Sequence, residues 1–555
     1  MVPLFFLYYC TKSFQTPLTN WAECIKIIDD INVYTGVLII LFSKENTNMA
    51  YILGVDIGTS GTKTVLFSED GTPVASATYE YPLYTPQNGY AEQEPLDWWN
   101  ASVNGIKDVI TESKVSPDDI KGVGLSGQMH GLVMLDVDNQ PIRKSIIWCD
   151  QRTAKEVVEI TDKVGADRMI EITANPAITG FTAAKIMWVK NNEPQNYEKC
   201  RHILLPKDYI RFMLTGEYAT EVSDASGMQL LDIPNRCWSD EVLNKLGIDK
   251  SLLAKVYESP EITGTITKKA AELTGLKAGT PVVGGAGDNA AAAVGTGVVE
   301  DGKAFTTIGS SGVVFAHTSN ISIDKKGRVH TFCCAVPGCW HVMGVTQSAG
   351  LSLKWFRDNF AWSEMETALS MGVDPYYLMD KEAGSVPIGA NRLLYMPYLN
   401  GESTPHLDPN ARGVFFGLST MHKKKEMLRA VMEGVSYSLR DCVEVMREMD
   451  INVSDMMACG GGGTSPLWRQ MLADLYDCQV KTTQNKEGPA LGVALLAAVG
   501  AGIYKSVPEA CRAVIKPEKI QEPIAENTAE YEKVYAMYRK LYPAMKQCFA
   551  ELAQM

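Results

Sequence analysis

The chain has 555 residues, too many for one hydrophobic core, so two or more domains are expected. It is 46% hydrophobic and 21% charged, which is typical of an ordered globular protein. A net charge of -13 argues against nucleic acid or an anionic membrane as a partner, so any polyanionic ligand must be bound by local groups.

The first 48 residues carry no organised pattern. The apolar run from Val2 to Tyr9 lacks a positive n-region and a clear cleavage site, which argues against a signal peptide. No apolar run approaches the ~20 residues that a membrane-spanning helix needs. We interpret Met49 as the natural start and residues 1–48 as an extension outside the fold. An accessory helix is the alternative for that segment.

The first organised pattern is a pair of strands around a glycine turn, here called the first glycine hairpin. Tyr51–Val55 is a largely apolar run that leads into Asp56–Lys63 (DIGTSGTK), and a second strand is predicted over Thr64–Ser68. An Asp-Gly pair at 70–71 predicts a two-residue turn before a third strand, Pro73–Ala77. Glycine at such a bend lets backbone N–H groups approach phosphate oxygens, and nearby hydroxyls add donors.

Asp288 follows a predicted strand, Pro281–Gly284, and precedes an alanine-rich stretch, Ala290–Val294. One interpretation is a helix N-cap, because an Asp oxygen accepts the unpaired N–H groups there. The other is a general base at the mouth of a cleft, where one carboxylate can accept the proton of a reacting hydroxyl. The two roles are compatible, since a helix N-terminus also favours a transferring phosphate. Asp56 is the candidate for holding Mg²⁺ through water.

The pattern of strand, glycine turn and strand returns far along the chain as a second glycine hairpin. Lys303–Thr307 leads into Ile308–Gly312 (IGSSG), and a further strand is predicted over Val313–Ala316. A repeat at this separation indicates a duplicated domain rather than a solenoid. Two such hairpins that face each other across a cleft can grip one triphosphate from both sides.

The 13 cysteines contain no CxxC pair and form no regular framework. Cys333, Cys334 and Cys339 cluster between His330 and His341, which offers sulfur and nitrogen ligands for zinc. Their spacing fits no standard zinc site. We therefore interpret them as reduced thiols of a cytoplasmic protein.

A third glycine-rich segment, the four-glycine turn Gly460–Gly463, follows a predicted strand over Met456–Cys459. A helix is predicted from Pro466 through Tyr476, and a strand, a glycine turn and a helix N-terminus together suit a nucleotide. Four glycines alone are weak evidence. The turn lacks the Gly-Lys-Ser/Thr of a P-loop and the ribose acid of a GxGxxG fingerprint, which argues against both folds.

Two longer segments resemble signatures of the FGGY family of carbohydrate kinases. They are Gly180–Asn192 (GFTAAKIMWVKNN) and Gly413–Leu418 (GVFFGL), which runs on to Glu433, and the likeness extends from about Met49 to the C-terminus. The resemblance implies an α/β fold of two related ribonuclease H-like or actin-like ATPase domains with a catalytic cleft between them. It also implies that ATP with Mg²⁺ binds in that cleft and that Asp288 is the catalytic base.

The resemblance also divides the chain and assigns its nucleotide contacts. Residues 49–297 are expected to form an N-terminal, sugar-binding domain, and residues 298–555 a C-terminal, nucleotide-binding domain with a terminal helix. The two glycine hairpins are assigned to phosphates, the four-glycine turn to adenosine and the helix start Gly488–Gly492 to the nucleotide side. The residues expected to bind ATP are Thr59, Ser60, Thr62, Lys63, Gly309, Ser310, Ser311, Gly460, Gly461, Gly462 and Gly463.

Sugar recognition is expected from the first domain. The strand Val123–Leu125 ends in Ser126–Gly131 (SGQMHG), which resembles a motif of family members that phosphorylate D-xylulose, whereas glycerol kinases carry an Arg-Glu pair there. Amide and imidazole groups at a strand end suit the hydroxyls of a polyol, and a methionine suits its carbon chain. The residues expected to contact the sugar are Gln128, Met129, His130, Asp288, Asn289 and Asp150.

Two other segments resemble the family. In Trp148–Arg152 (WCDQR), Asp150 and Arg152 receive a supporting role near the sugar, although such a pair is commonly a surface ion pair. We interpret Glu92–Trp99 as an aromatic helix face in the core. Tyrosines at helical spacing before Leu541 predict a C-terminal helix that packs in the core or an interface.

The expected activity is therefore transfer of the γ-phosphate of ATP to D-xylulose, with sugar and ATP as partners and neither nucleic acid nor membrane. A homodimer is left open. A family kinase for another polyol or ketose, such as ribulose, fuculose, gluconate or glycerol, is the nearest alternative. A non-catalytic sugar-binding regulator and an actin- or chaperone-like ATPase are the others.

Overall fold

The computed structural model describes residues 49–555, and the interpretation of residues 1–48 lies outside them. By their contacts, Tyr51–Met555 form one unit. No helix within residues 49–555 is long and apolar enough to cross a membrane.

The first half of this unit is built on a seven-stranded sheet. Its strands are β1 (Tyr51–Ile57), β2 (Gly61–Ser68), β3 (Pro73–Glu80), β4 (Ile120–Gly127), β5 (Ile262–Thr265), β6 (Pro281–Val283) and β7 (Ala286–Gly287). The order is β5-β6-β4-β1-β2-β3, and β7 pairs with the end of β4. The pairs β1–β4 and β4–β6 are parallel, and β1–β2, β2–β3 and β5–β6 are antiparallel.

The second half repeats this arrangement. Its strands are β8 (Gly302–Ile308), β9 (Gly312–Thr318), β10 (His330–Cys333), β11 (Trp340–Thr346), β12 (Val453–Cys459), β13 (Gln479–Thr483) and β14 (Pro517–Gln521). The order is β10-β11-β9-β8-β12-β13-β14, with β8–β12 and β12–β13 parallel and the other pairs antiparallel. From β14 to β11 the strand directions match those from β5 to β3, which agrees with the predicted duplication.

Local turn chemistry explains the first three strands. The Asp-Gly turn forms as predicted, with Gly71 at a φ of +81° and its N–H donating to the Ser68 carbonyl at 2.8 Å. The second strand begins at Gly61, three residues before its predicted start at Thr64, because Thr62 pairs with Ile57 across the hairpin and buries its side chain. The strand periodicity therefore continues through polar residues that looked like part of the turn.

Helices and short ribbons surround the sheets. The α-helices are Pro95–Ser113, Ala154–Val164, Ala166–Thr173, Thr182–Asn192, Pro194–Lys199, Pro206–Thr215, Val222–Ala225, Asp240–Leu246, Lys268–Thr274, Asp288–Gly295, Gly350–Phe360, Trp362–Met371, Pro375–Gly384, Lys424–Glu448, Pro466–Tyr476, Gly488–Gly500, Val507–Val514, Ala525–Tyr538 and Leu541–Leu552. The 3₁₀ turns are Pro117–Asp119, Ser226–Met228, Lys250–Leu252 and Gly462–Thr464. Two-stranded ribbons pair Glu92–Gln93 with Ser145–Ile146, Val133–Leu135 with His202–Leu204, Ala219–Glu221 with Lys255–Tyr257, Leu231–Asp232 with Cys237–Trp238, and Leu394–Met396 with Val414–Phe416.

The helix Gly488–Gly500 comes late in the chain yet packs on the first sheet. It lies so close to β1 and β4 that a Cβ on Gly54 would stand 2.1 Å from the Ala490 carbonyl oxygen, and one on Gly124 1.9 Å from that of Val493. The helix Asp288–Gly295 packs against it in turn, with Gly492 against the backbone of Ala291. These glycine contacts fix the helix that begins at Asp288 relative to the ends of β1 and β4.

Candidate active site

Three predicted site residues lie together because three strands end side by side. In the parallel ladder, Asp56 of β1 is the partner of Ser126 in β4, and Ser126 is in turn the partner of Ala286 in β7. Gln128 directly follows β4, and Asp288 directly follows β7. Asp56, Gln128 and Asp288 therefore stand at one edge of the first sheet.

Asp288 is the first residue of its helix and not the cap. Gly287 occupies the N-cap position, without a side-chain cap. The N-cap interpretation of Asp288 is therefore wrong, because its carboxylate turns to its neighbour instead of to the N–H groups two and three residues ahead. Its Oδ1 accepts hydrogen bonds from the Asn289 backbone N–H at 2.7 Å and from Asn289 Nδ2 at 3.0 Å.

The surroundings of Asp288 raise the pKa of its carboxyl, which suits a general base. Burial, with a second contribution from the charge of Asp56, raises its pKa to about 7, although the two hydrogen bonds from Asn289 act in the opposite direction. A carboxyl with a pKa near the working pH is the form that accepts a proton most effectively in catalysis.

Asp56 carries a polar atom that nothing in the protein satisfies. Its Oδ1 is buried without a hydrogen-bond partner, and burial raises the pKa of its carboxyl. Within residues 49–555, no group of three or more His, Cys, Asp or Glu side chains is placed to hold a metal ion. An unpaired carboxylate oxygen fits a Mg²⁺ ion that keeps most of its waters and phosphate ligands.

Gln128, in the segment Ser126–Gly131, links this segment to the first glycine hairpin. Its Nε2 donates to Gln93 Oε1 at 2.7 Å, and its Oε1 lies 3.4 Å from Thr59 Oγ1. Gln93 Nε2 donates to the Thr59 carbonyl at 2.7 Å, and Trp98 Nε1 donates to Gln93 Oε1 at 3.2 Å. Both ends of the Gln128 amide are thus engaged within the protein. Gln93 had no signal in the sequence beyond its place just before an aromatic helix.

Met129 packs next to Asp288, and His130 follows it in the chain. The Met129 side chain lies against Gly287, where a Cβ would stand 2.9 Å from its Cγ. His130 has a φ of +69°, and its Nδ1 is 3.0 Å from the Gly227 carbonyl oxygen. Since a carbonyl only accepts, Nδ1 carries the hydrogen and Nε2 is left as an acceptor. Burial lowers the pKa of His130 to about 3, so the ring is neutral.

An apolar cluster that the sequence analysis missed surrounds these two residues. Met129 packs with Phe181, Phe332 and Met343, the last two from β10 and β11 of the second sheet. The His130 ring lies 4.9 Å from that of Phe181, centroid to centroid. The two halves of the chain therefore share one wall next to Asp288. Phe332 and Met343 belong to no sequence motif and reach this wall only because of their positions in β10 and β11.

Asp150 and Arg152 form a buried ion pair, which excludes the alternative of a surface pair. Their side chains are 0% and 1% exposed. The Asp150 carboxylate accepts from Arg152 Nη2 at 2.7 Å and from the Ala91 backbone N–H at 2.6 Å, while Arg152 also contacts Glu92 at 2.8 Å. The Tyr90 ring covers the guanidinium at 3.8 Å. Asp150 is thus held in an internal network. Trp98 and Trp99 are buried in the core as interpreted, but Glu92–Gln93 form a strand and the helix begins only at Pro95.

The structure separates the residues expected to bind ATP on the first glycine hairpin. Ser60 is exposed at the bend, and Thr59 Oγ1 accepts from Trp148 Nε1 at 2.9 Å. Thr62 is fully buried, and Lys63 forms an ion pair with Glu487 at the start of the helix that packs on this sheet. Thr59 and Ser60 are therefore at the open edge, whereas Thr62 points into the protein.

The second glycine hairpin and the four-glycine turn meet at one edge of the second sheet. Gly309, Ser310 and Ser311 are exposed, and the N–H groups of Gly350 and Leu351 hold the Gly309 and Ser310 carbonyls at 2.8 and 3.1 Å. The four-glycine turn, Gly460–Gly463, follows β12. This strand pairs with β8, and β8 leads directly into the second glycine hairpin. Gly460 and Gly462 lie against Ile308, Gly461 is exposed and Gly463 is buried. The helix Pro466–Tyr476 follows with the predicted bounds.

Comparison with known proteins identifies the two halves. Models of the N-terminal and C-terminal domains of the FGGY family of carbohydrate kinases match residues 51–295 and 304–501. A xylulose kinase of Bacillus subtilis is 39% identical over 90% of this chain and 98% of its own length. A gluconokinase of the same organism is 32% identical over 91% of this chain and 98% of its own length.

A solved structure of a xyloylose kinase from Brucella ovis has a TM-score of 0.82 and 34% identity, over 90% of this chain and all of that one. The expected fold of two related α/β domains of the actin-like ATPase type is confirmed, and the expectation of a sugar kinase that uses ATP is confirmed with it. The chain belongs to the FGGY family of carbohydrate kinases.

Proposed function

We propose that the protein phosphorylates D-xylulose at its 5-hydroxyl, with ATP as the phosphate donor. The observation that carries the choice of sugar is the neutral His130, whose neighbour Met129 packs against Gly287 directly before Asp288. An acceptor at Nε2 receives a hydroxyl hydrogen, but it repels the carboxylate that distinguishes gluconate from a ketose. The higher identity to the xylulose kinase than to the gluconokinase points in the same direction.

In the proposed mechanism, Asp288 accepts the proton of the 5-hydroxyl while the hydroxyl oxygen attacks the γ-phosphorus. The oxygen–phosphorus bond to the sugar forms, the bond to the β-phosphate oxygen breaks, and ADP leaves. Exposed backbone and hydroxyl groups at Thr59, Ser60 and Gly309–Ser311 would hold the phosphates, and Gly460–Gly463 the adenosine. The Met129 cluster would cover the carbon chain and exclude water, which limits hydrolysis of ATP.

We assign residues 49–297 to the sugar side and residues 298–555 to the nucleotide side. A cytoplasmic location is proposed because the eleven cysteines in the described part of the chain are all free thiols. Light scattering of the purified protein would test the homodimer.

Sugar selectivity tests the proposed function. In an assay of ADP release with ATP and Mg²⁺, kcat/KM should be highest for D-xylulose. It should exceed the values for D-ribulose, L-fuculose, gluconate and glycerol by at least about tenfold. A higher kcat/KM for gluconate than for D-xylulose would indicate a gluconate kinase instead. Absence of turnover with every sugar, together with sugar binding in calorimetry, would support a regulator instead.

Asp56 is proposed to hold Mg²⁺ through water, and the bound ion would neutralise charge on the β- and γ-phosphate oxygens. Asp56→Asn should weaken Mn²⁺ binding to the protein with ADP by about tenfold or more, because a neutral amide is a poor partner for hydrated divalent cations. Electron paramagnetic resonance of Mn²⁺ measures this without turnover. The exposed Asp162→Asn should leave the affinity unchanged, and equal affinity for Asp56→Asn and wild type would exclude the assignment.

A further inference from the structure

Two cysteines face each other at the end of the hairpin formed by β10 and β11. Cys333 is the strand partner of Trp340, so Cys334 and Cys339 form the next pair toward the turn, and the Cys334 N–H donates to the Cys339 carbonyl at 3.1 Å. Directly opposed residues of an antiparallel pair have Cα atoms ~4.5–5.5 Å apart. That separation lies inside the range of roughly 4.4–6.8 Å that a disulfide bridges.

Strand alternation selects this pair from the three neighbouring cysteines. Side chains of successive residues point to opposite faces, so Cys333 points away from Cys334. Cys333 is buried with its Sγ 3.8 Å from the Ile233 carbonyl oxygen. Cys334 points to the other face, where its Sγ lies 3.7 Å from Nδ1 of the buried His317. The cluster on this face is therefore Cys334, Cys339 and His317, without Cys333.

The two thiols differ in access and in acidity. Cys339 is partly exposed beside the turn, whereas Cys334 is buried. The Cys334 thiol and His317 lower the pKa of the Cys339 thiol, and burial raises the pKa of the Cys334 thiol. An accessible thiol of low pKa is the attacking group in thiol–disulfide exchange, and a second thiol next to it resolves the mixed disulfide.

We propose that Cys334 and Cys339 form a redox-active dithiol that low-molecular-weight disulfides such as glutathione disulfide oxidise. The Cys339 thiolate attacks one sulfur of glutathione disulfide, which forms a mixed disulfide and releases one glutathione thiolate. Cys334 then passes its proton to His317 Nδ1, and its sulfur attacks Cys339 Sγ and releases the second glutathione thiolate. Two protein thiols are oxidised to one disulfide, and glutathione disulfide is reduced to two thiols.

The oxidised hairpin would be covalently closed at a point where both halves of the chain meet. Arg236 Nη1 donates to the Cys339 carbonyl at 2.9 Å, and Trp340 Nε1 donates to the Ile233 carbonyl at 3.1 Å. The same hairpin carries Phe332 and Met343 of the wall next to Asp288. The dithiol is therefore tied to segments from both halves of the chain while it remains outside the residues assigned to substrate.

Peptide mass analysis of the full chain tests the proposal. The reduced protein is incubated with excess glutathione disulfide at neutral pH, its free thiols are alkylated, and trypsin releases the segment Val329–Lys354, which contains all three cysteines. The expected peptide carries one alkylated cysteine and is two hydrogens lighter at the other two. Dithiothreitol before alkylation should restore three alkylated cysteines.

Single variants identify the pair. Cys333→Ser should keep the internal disulfide, and Cys334→Ser should accumulate the glutathione adduct on Cys339 because the resolving thiol is gone. Cys339→Ser should show neither the internal disulfide nor the adduct. A wild-type peptide with three alkylated cysteines after incubation would refute the dithiol. An internal disulfide that persists in Cys334→Ser or Cys339→Ser, or disappears in Cys333→Ser, would place Cys333 in the pair and overturn the assignment.

Discussion

Asp288→Asn is expected to lower kcat by about 10²- to 10⁴-fold, the usual contribution of a positioned general base. The amide has nearly the shape of the carboxylate but cannot accept the proton of the attacking hydroxyl. Binding of sugar should change only a few fold, because Met129 and His130 remain in place. A coupled ADP assay gives kcat, and calorimetry gives the dissociation constant of D-xylulose.

The pH dependence gives this prediction a second signature. Because the deprotonated carboxylate is the active form and its pKa is raised to about 7, kcat/KM of the wild type should rise with pH and level off above that value. Asp288→Asn should lose this acidic limb. Asp162→Asn, at an exposed position of the helix Ala154–Val164, should keep both the rate and the acidic limb. An Asp288→Asn variant that is folded and retains near wild-type kcat would remove Asp288 from the base role.

The same pKa shift predicts a trade between stability and catalysis. A carboxyl whose pKa is higher in the folded than in the unfolded state stabilises the fold fully only below its unfolded pKa, and this stability is lost as pH rises through about 7. The free energy of unfolding of Asp288→Asn, measured by denaturant titration, should therefore exceed that of the wild type at pH 8 by on the order of 2 kcal/mol. At pH 4 the two free energies should be nearly equal. Equal gains at both pH values would argue against ionisation as the cause.

Local chemistry made the secondary structure around the site predictable. The Asp-Gly turn, the two glycine hairpins and the helix Pro466–Tyr476 each depend on residues within a few positions of one another. The general location of Asp288 was predictable for the same reason. Its exact helical position was not, because one residue decides between the cap and the first turn, and the hydrogen bonds to Asn289 settle that locally.

Contacts between distant segments were not predictable from one sequence. Gln93 binds Gln128, and Phe332 packs on Met129, through strand register that no local pattern contains. The burial of Asp150 with Arg152 depends on Tyr90 and Ala91, which carry no signal in the sequence for this contact. The helix Gly488–Gly500 joins the first sheet only because glycines far away in the chain leave room for its backbone.

A buried charge network supports the backbone that leads to Asp288. Lys207 Nζ lies 2.9 Å from Asp208, 3.3 Å from Glu221 and 3.0 Å from Asp224, and all four side chains are buried. Nearby, Arg211 Nη2 donates to the Gly284 carbonyl, and the Gly287 N–H donates to Ser223 Oγ at 3.1 Å. None of these residues carries a sequence motif that would assign it to the site.

Lys207→Met should lower the free energy of unfolding by about 3–5 kcal/mol, because it leaves the buried carboxyls of Glu221 and Asp224 without their cation, whereas Asp208 keeps its ion pair with Arg211. Denaturant unfolding at pH 7 measures the change, and Lys250→Met, which removes an exposed pair with Asp240, should cost less than about 1 kcal/mol. Asp224 is the carboxyl whose pKa burial raises, to about 8, so Asp224→Asn in the Lys207→Met background should recover part of the loss. A loss no larger than that of Lys250→Met would mean that the carboxyls escape their burial by protonation or by water entry, and that the network contributes little to holding the segment before Asp288.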